Sequence, residues 1–362
     1  NSKKGNTPMI FGRGWLNNID KVFPGGCLPS VEWATMNNRE AQEKRKLRRL
    51  EKGLINSTWK YSNKYLFQEL NTDIFKNPAT VNRNYRRLEK HLEGKKSKVR
   101  IPRMLKKWKF MRSFEYIPSK TFLKPKDEHM AFKTAFAFGK FQEAFLDMPL
   151  DRIKEAIPNF HNIESRFSQL ENATKKNKFE RVQCVQKEIY EVFQEKPLWE
   201  IFSRQMENCE KRIVHYDTKI SNVLFDKNNK VKAIIDLDTT MPGFTFFDYG
   251  DMIRSMCSKS KEDTKQLGRV KIQKTMFEAI TEGYLAATNE WLTLNEKSYL
   301  LYGAMYIVFE NAIRFLTDYI NGDVYFRTSE KDQNLHRFKT QYKLYEELKK
   351  DSKKYQKIIY SI

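Results

Sequence analysis

The stretch that decides the fold runs His215-Tyr-Asp-Thr-Lys-Ile-Ser-Asn-Val-Leu-Phe-Asp226, continues through Lys227-Asn-Asn-Lys230 and ends in Val231-Lys-Ala-Ile-Ile-Asp-Leu-Asp238. Apolar runs flank the turn-forming residues Lys227 to Lys230, which predicts a β-hairpin. Pairing Asp226 with Val231 fixes the register of the two strands. The residues just before and just after the hairpin therefore meet at its open end.

Three oxygen-bearing side chains are predicted to lie at this open end. In the register given above, Asn222 lies opposite Ile235, so Asn222 and Asp236 emerge side by side, and Asp217 lies in the loop that leads to them. A Mg²⁺ ion and nucleotide phosphates require such ligands, which leaves Asp217 to orient a substrate hydroxyl and accept its proton. The order His-x-Asp, four residues, Asn, and then Asp after a short hairpin is that of a kinase catalytic loop. The sequence therefore predicts a phosphotransfer site.

Two less specific points qualify this interpretation. The alternative for the carboxylates is that they are ordinary solvated groups on the rim of an acidic hairpin. His215 is expected to brace the loop through hydrogen bonds rather than to bind a metal, because no second His or Cys lies at ligand spacing nearby.

The chain also resembles the N-acetylhexosamine 1-kinases, which belong to the aminoglycoside phosphotransferase and choline kinase group of the protein-kinase-like superfamily. The similarity covers roughly residues 45 to 350. Beyond the hairpin it rests on the segments Asn71 to Phe75, Ala137 to Gln142, Ile157 to Asn162, Met241 to Gly243, Phe246 to Arg254, Arg314 to Tyr319, Gly322 to Phe326 and Asn334 to Arg337.

This resemblance implies a fold, a reaction and a set of site residues. The fold is α+β and bilobal, with a reduced, β-rich amino-terminal lobe and a larger, mainly helical carboxyl-terminal lobe. The reaction is transfer of the γ-phosphoryl group of ATP, with Mg²⁺, to a sugar hydroxyl, the anomeric one by this resemblance. Asp217 would be the catalytic base, Asn222 and Asp236 the Mg²⁺ ligands and Asp238 a nearby helper. Arg314 matches an arginine at the sugar site, and the alternative is a plain helix-surface cation.

The predicted nucleotide-binding loop departs from the family pattern. The family has a glycine-rich turn before Ile-Asn-x-Thr, whereas this chain has Gly53 as the only glycine there; Gly53, Asn56 and Thr58 are the candidate nucleotide-binding residues. Glycine allows backbone N–H groups to approach phosphate oxygens closely. The next strand carries Gln68 and Glu69 where a kinase of ordinary pattern has a cation. These departures weaken the prediction of nucleotide binding.

The net charge of +22 suggests a second function. Between Arg39 and Glu128 there are 26 Lys and Arg against 10 Asp and Glu, so most of the excess lies in the first third of the chain. Basic clusters interleaved with aromatic residues are typical of segments that bind RNA or another acidic partner, so RNA or an acidic protein is the expected partner of residues 39–128. The alternative hypothesis is therefore a kinase-fold structural subunit, a pseudoenzyme, in a basic assembly that contains RNA, such as a mitochondrial ribosome. Lysine-rich but merely solvated surfaces would explain the charge equally well.

The chain divides into four predicted segments. Residues 1–38 form an extension whose aromatic residues are expected to dock on a partner, 39–115 the reduced amino-terminal lobe, 116–350 the helical lobe and 351–362 a tail. The lobe connector is expected at Trp108 to Glu115. Helices are predicted at Pro78 to Leu92 with Asn77 as cap, His129 to Asp147, Arg181 to Arg204 and Gln273 to Trp291.

The predicted location is the cytoplasm or an organellar matrix. No run of eighteen apolar residues is present. The four cysteines lie far apart without a Cys-x-x-Cys pair, which favours free thiols in a reducing compartment. The first residue is not methionine, which fits a removed presequence, an engineered start or an incomplete chain.

Overall fold

The computed structural model describes residues 47–50, 56–95, 99–108 and 110–362. Within these residues the chain forms two lobes, a small antiparallel sheet with one helix and a larger, mainly helical part. The predicted α+β, bilobal, kinase-like fold is confirmed. The predicted extension at residues 1–38 and the candidate residue Gly53 lie outside the described residues.

The amino-terminal lobe is built on a five-stranded antiparallel sheet in the order β1-β2-β3-β5-β4. Because β5 lies between β3 and β4, both of its edges are paired, and its first four residues are buried. Strand β2, by contrast, is half-exposed along its whole length. The strands are β1 (Leu47–Leu50), β2 (Ser57–Tyr61), β3 (Tyr65–Glu69), β4 (Met104–Lys107) and β5 (Met111–Glu115).

Helix α1 (Pro78–Glu93) packs beside this sheet. It begins at Asn77, whose side chain accepts a hydrogen bond from the backbone N–H of Thr80 at 3.1 Å. Proline in the first turn lacks an N–H that the helix would leave unpaired, so it fits that position. On α1, the Glu89 carboxylate accepts the backbone N–H of Met104 at 2.8 Å and ties the helix to the sheet. The predicted helix and its cap are confirmed.

The chain leaves the sheet later than the sequence predicts. The segment Trp108 to Glu115, expected as the lobe connector, contains β5, because Met111 and Phe114 bury their side chains against the core. The connecting segment runs from 116 to 127. Within it, Lys120 exchanges two backbone hydrogen bonds with Phe225 of the carboxyl-terminal lobe.

The carboxyl-terminal lobe is organised around α9, which is buried along most of its length and packs against α6 and α10. Helix α7 packs against α2, and a Cβ atom at Gly283 would lie 2.3 Å from the backbone oxygen of Phe132. Only glycine allows this close approach. The helices are α2 (Glu128–Ala144), α3 (Ile163–Lys176), α4 (Gln186–Gln194), α5 (Lys196–Met206), α6 (Thr245–Met256), α7 (Lys274–Thr288), α8 (Leu294–Ser298), α9 (Leu300–Ile320), α10 (Gln333–Lys350) and α11 (Ser352–Ser361).

Two predicted helices correspond to α2 and α7, with bounds that differ by a few residues. The single helix predicted at Arg181 to Arg204 is wrong, because the chain forms α4 and α5 with a break at Glu195. Pro197 in the first turn of α5 explains the break, since proline cannot continue a helix that enters it. Residues 351–362, predicted as a tail, form α11, which buries Tyr355 and Ile359.

The predicted hairpin is confirmed as β7 (Val223–Phe225) and β8 (Val231–Ile234). At its open end, Val223 pairs with Ile234 and the backbone oxygen of Asn222 accepts the N–H of Ile235, as predicted. Near the turn, a bulge after Leu224 pairs Phe225, not Asp226, with Val231. The bulge leaves the register at the open end unchanged. A second short pair, β6 (Arg212–Val214) with β9 (Met241–Gly243), leads into the loop before the hairpin.

Candidate active site

The loop that carries Asp217 is hydrogen-bonded to one buried carboxylate, that of Asp248 on α6. Asp248 accepts the backbone N–H of His215 at 2.9 Å with Oδ2 and that of Tyr216 at 2.7 Å with Oδ1. The side chain of Gln142 donates a further hydrogen bond at 2.9 Å. The carboxylate therefore fixes two successive peptide groups just before Asp217. The sequence motif around Asp248 was visible, but its role was not predicted.

His215 braces the same loop, as predicted. Its Nε2 lies 3.0 Å from the backbone oxygen of Ile235, and its Nδ1 accepts the N–H of Asp217 at 3.2 Å. These contacts correspond to a neutral ring with the proton on Nε2. The ring thus joins the loop to the strand that ends at Asp236.

Backbone geometry is strained on both sides of the site. Tyr216 and Asp236 adopt left-handed conformations with φ of 64° and 65°. The Tyr216 ring packs over Gly243, where a Cβ atom would lie 1.8 Å from the tyrosine hydroxyl. Left-handed residues other than glycine persist where the surroundings hold them, often at functional sites. Here the hydrogen bonds to Asp248 hold Tyr216 in place.

Asp217 is fixed by two neighbours from its own loop. Asn222 donates Nδ2–H to the backbone oxygen and to Oδ2 of Asp217, both at 2.8 Å, and Lys219 lies 2.9 Å from Oδ1. Partial burial opposes ionisation of Asp217, but the charge and hydrogen bond of Lys219 outweigh it, so the pKa lies below its usual value. Asp217 is therefore an aspartate with both oxygens oriented. Lys219 lies within the sequence motif, but the motif did not predict its contact with Asp217.

Asp236 is exposed and lies two residues before Asp238, which contacts the amino-terminal lobe. Enclosure by the surrounding protein, followed by the charges of Asp238 and Asp217, nevertheless raises the pKa of Asp236 to about 7. Repulsion within a group of carboxylates is relieved when a cation binds between them. Lys219 and Arg112 are the cations whose charges lower this pKa.

The residues present fit a Mg²⁺ ion. No group of three or more His, Cys, Asp and Glu side chains within the described ranges is arranged to hold a metal ion by itself. Mg²⁺ does not require such a group, because it is usually held by one or two protein oxygens together with phosphate oxygens and water. The carboxylate of Asp236 and the amide oxygen of Asn222 are the donors available, since Asn222 commits its nitrogen to Asp217.

Asp238 links the two lobes. It is buried and pairs with the guanidinium of Arg112 on β5, and its Oδ2 accepts Nδ2–H of Asn56 at 2.7 Å. Asn56 in turn accepts the backbone N–H of Asn71 at 3.0 Å. The structure therefore places Asn56 and Asp238 in direct contact. The sequence motifs did not predict a role for Arg112, because its partner Asp238 is 126 residues away in the chain.

Arg112 ends a row of polar side chains that crosses three strands. Thr58, Gln68 and Arg112 lie directly opposite one another on β2, β3 and β5, so they share one face of the sheet. Gln68 donates to the Thr58 hydroxyl at 3.3 Å, and its Oε1 accepts two N–H groups of Arg112. Thr58 therefore supports this row. Glu69 faces away from it, since successive residues of a strand point to opposite faces.

Arg314 lies in an aromatic pocket on the other side of the Asp217 loop. Its guanidinium carbon is 5.4 Å from the ring centres of Phe160 and Phe326 and 5.6 Å from that of Tyr325. The Phe160 ring contacts that of Tyr216, which precedes Asp217. Arg314 is thus half-buried among aromatic rings, and its role at a sugar site stays a prediction.

A buried ion cluster supports the floor of this pocket. Glu310 on α9 is fully buried and binds His161 Nδ1 and, at 2.9 Å, Arg166 Nε. Burial opposes its ionisation, but His161, Arg166 and Arg314 lower the pKa of Glu310 to about 2. The His161 ring lies 4.7 Å from that of Tyr216. His161 therefore joins the buried carboxylate of Glu310 to the ring that precedes Asp217.

Comparison with known proteins gives the family. The model of the APH family, described as a phosphotransferase enzyme family, matches residues 46–277. Similar solved structures are the ADP-bound aminoglycoside phosphotransferase APH(2'')-Ib (14% identity, 86% of this chain and 98% of that one, TM-score 0.53) and an ethanolamine kinase from Plasmodium vivax (14% identity, 85% of each chain, TM-score 0.51). The GDP complex of aminoglycoside 2'-phosphotransferase-IIIa is 13% identical, with 94% of this chain and 98% of that chain covered and a TM-score of 0.57.

At these identities the solved structures show the fold alone. The family match covers well over half of the chain and includes β1 to β9 and the whole catalytic loop. This chain belongs to the APH phosphotransferase enzyme family.

Proposed function

We propose that this protein transfers the γ-phosphoryl group of ATP to a hydroxyl group of a sugar, as an N-acetylhexosamine 1-kinase does. The observation that carries the proposal is the geometry around Asp217. Its two carboxylate oxygens are oriented by Asn222 and Lys219, and the ring of the preceding residue, Tyr216, contacts Phe160 of the aromatic cluster around Arg314. An oriented base near candidate metal ligands and a candidate acceptor site suits phosphoryl transfer.

The side chains divide the reaction between them. Asp217 binds the acceptor hydroxyl, orients it toward the γ-phosphorus and takes up its proton as the new P–O bond forms. The bond from the γ-phosphorus to the bridging oxygen breaks in the same step, and ADP leaves with that oxygen. Lys219, held beside Asp217, offers its charge to the transferred phosphoryl group. Asn222 and Asp236 would hold Mg²⁺, which would supply positive charge to stabilise the phosphate groups. Asp248 and His215 keep the loop in position.

The acceptor pocket favours a neutral sugar over a cationic acceptor. The rings of Phe160, Tyr325 and Phe326, which can pack on the C–H faces of a sugar ring, lie around the guanidinium of Arg314. The carboxylate below it, Glu310, is already neutralised by His161 and Arg166. Aminoglycosides and ethanolamine carry positive charge, so they would meet repulsion here and in the field of a chain of net charge +22.

A substrate panel tests this proposal. Purified protein is incubated with Mg·ATP and, in turn, N-acetylglucosamine, N-acetylgalactosamine, glucose, kanamycin and ethanolamine, and ADP release and phosphorylated product are measured. We expect turnover with an N-acetylated hexosamine and none with the two amines. Phosphorylation of kanamycin or ethanolamine at a comparable rate would contradict the sugar specificity while keeping the phosphotransferase family.

A second candidate function rests on a basic groove on the outer face of the carboxyl-terminal lobe. The groove has a volume of about 280 Å³ and lies between α2 and β8. Its cations surround the rings of Phe132 and Phe136, whose stacked centres are 6.2 Å apart. This combination suits a polyanion such as RNA, which the structural-subunit hypothesis requires. The cations are Arg100, Lys133, Lys140, Lys230 and Lys232.

A further inference from the structure

The amino-terminal lobe has Gln68 on β3 where a kinase of ordinary pattern has a phosphate-binding cation. Arg112 lies directly opposite Gln68 on the neighbouring strand β5, with its side chain on the same face of the sheet. The Nε–H of Arg112 donates to Gln68 Oε1 at 2.9 Å. A cation is therefore present at this face of the lobe, supplied by a different strand.

The guanidinium of Arg112 is buried, and one of its nitrogen atoms has no partner among the described residues. The side chain is 1% exposed. Nε and Nη2 reach Gln68 and Asp238, whereas Nη1 finds no hydrogen-bond acceptor within the described part of the chain. Leaving such a donor unpaired lowers stability, and more so for a charged group. An acceptor that arrives with a ligand would remove this cost.

The position of Arg112 indicates what that ligand is. Its partner Asp238 follows Asp236 by two residues in the same turn, so the guanidinium lies beside the segment that carries Asp236. A phosphate held near Asp236 would therefore approach this guanidinium. Asn56 binds the other oxygen of Asp238 at 2.7 Å, so the anchor is fixed from two sides.

We propose that Arg112 is a nucleotide-binding residue, which donates Nη1–H to a phosphate that is not transferred and replaces the missing cation of β3. This inference rests on the proposed function. Asp238 and Gln68 fix the plane of the guanidinium, which leaves Nη1–H to donate to the phosphate. Arginine suits this role because its planar fork binds a carboxylate and a phosphate at once and stays charged.

The alternative is that Arg112 only links the two lobes through its ion pair with Asp238. Such a link would stabilise the protein, and its loss would weaken binding of every nucleotide and nucleoside alike. A phosphate contact makes the loss depend on the number of phosphates. Binding of ATP, ADP, AMP and adenosine therefore separates the two roles without any measurement of turnover.

The test compares wild-type protein with Arg112→Met by titration calorimetry against these four ligands, with Mg²⁺ present. We expect ATP and ADP to bind about tenfold to a hundredfold more weakly, the range for loss of a charge-assisted hydrogen bond. Adenosine binding is expected to stay within about twofold. Equal losses for ATP and adenosine, or no loss at all, would overturn the proposal.

A relocated cation provides the matched rescue. Arg112→Met combined with Gln68→Lys places the charge on β3, where the ordinary kinase pattern has it, and ATP affinity is expected to return to within about fivefold of wild type. Failure of the lysine to restore any affinity would count against the proposal.

Folding is checked by circular dichroism before each titration. If Arg112→Met does not fold, Arg112→Lys is used, because it keeps the charge in the core. A lysine cannot bind Asp238, Gln68 and a phosphate together, so ATP affinity is expected to fall about tenfold with adenosine unchanged. Unchanged ATP affinity in Arg112→Lys would overturn the proposal that the guanidinium of Arg112 binds Asp238, Gln68 and the phosphate together.

The outcome for wild-type protein separates this inference from the function on which it rests. Wild-type protein that binds no nucleotide at millimolar Mg·ATP overturns the kinase proposal itself. Wild-type protein that binds ATP while Arg112→Met binds it equally well overturns only the role of Arg112.

Discussion

The two lobes hold their parts of the site in different ways. In the carboxyl-terminal lobe, the loop with Asp217 is fixed by Asp248, His215 and Asn222 through several hydrogen bonds to buried groups. In the amino-terminal lobe, β2 is half-buried, and the side chains of Asn56 and Arg112 reach the site through one carboxylate, Asp238. Under the proposed function, the groups that do the chemistry lie on the lobe with more hydrogen bonds to buried groups, and the groups that bind the nucleotide lie on the less buried lobe.

This difference explains why the two halves departed differently from the family pattern. The catalytic loop depends on exact side-chain partners at short range, and each of Asp217, Asn222 and Asp236 is present. Phosphate binding needs only positive charge and N–H groups in the right volume. A cation can be supplied from a neighbouring strand, as Arg112 does for Gln68, without a change in the fold.

The largest effect is expected for the carboxyl-terminal lobe. Asp217→Asn should lower turnover at least about a hundredfold, because an amide cannot accept the proton of the acceptor hydroxyl. Nucleotide affinity and the unfolding midpoint should change little, since the amide can still accept a hydrogen bond from Lys219. Steady-state kinetics and calorimetric titration with ATP measure the two quantities. Turnover within a few-fold of wild type would show that Asp217 is not the base.

The next effect concerns the metal and the nucleotide. Mg·ATP at a hundredfold excess over its dissociation constant should stabilise the wild-type protein by about 2.7 kcal/mol. The stabilisation should disappear in Asp236→Ala and persist in Arg314→Ala, because Arg314 lies in the acceptor pocket. Thermal unfolding with and without Mg²⁺ measures it. No shift at millimolar Mg·ATP in the wild-type protein would contradict the kinase proposal.

A smaller effect sharpens the contrast between the lobes. Asp248→Asn leaves one oxygen for the backbone N–H groups of His215 and Tyr216, so one buried donor loses its partner at a cost of about 1 to 3 kcal/mol. We expect lower stability together with reduced turnover at unchanged ATP affinity. Asp73→Asn, at an exposed position of the amino-terminal lobe, is the matched control and should change neither quantity. Denaturant unfolding and kinetics on both variants provide the comparison.

Features that depend on residues close together in the sequence were predictable, whereas contacts between distant residues were not. The hairpin, its open-end register and the order of Asp217, Asn222 and Asp236 are local, and the structure has them as the sequence predicts. The same holds for the cap of α1 at Asn77. The bulge after Leu224 was missed, because a shift by one residue costs little near a turn and leaves no mark in an apolar pattern.

The missed residues act over long range. Arg112 and Asp238 are 126 residues apart, and Gln142 and Asp248 are 106 residues apart. A pattern of local spacing cannot reveal such partners, and a lone arginine on a strand resembles any surface cation. The break between α4 and α5 was predictable, since Pro197 is visible in the sequence.

The rest of the predicted function stays a prediction. The described helices include none long and apolar enough to cross a membrane. The hypothesis of a structural subunit in a mitochondrial or other RNA-containing assembly depends on the basic surface, and of the cluster from Lys44 to Arg49 only Arg48 and Arg49 belong to the described residues with assigned exposure, both exposed. The groove between α2 and β8 is the described surface on which polyanion binding can be tested.

The smallest expected effect compares this groove with the rest of the surface. If the groove binds RNA, the affinity should fall with salt, with a log-log slope of about 0.7 per phosphate neutralised on a single strand. The double substitution Lys230→Gln and Lys232→Gln should remove one to two phosphate contacts and so lower the magnitude of that slope by about 0.7 to 1.4. Lys331→Gln with Lys353→Gln, at exposed positions elsewhere, removes the same charge and is the matched control. Fluorescence anisotropy with a labelled oligonucleotide at several salt concentrations measures the slopes. An equal fall of the slope in both double variants would show a general effect of net charge. A slope near zero in the wild-type protein would contradict a polyanion partner, because neutralised phosphates must release counterions.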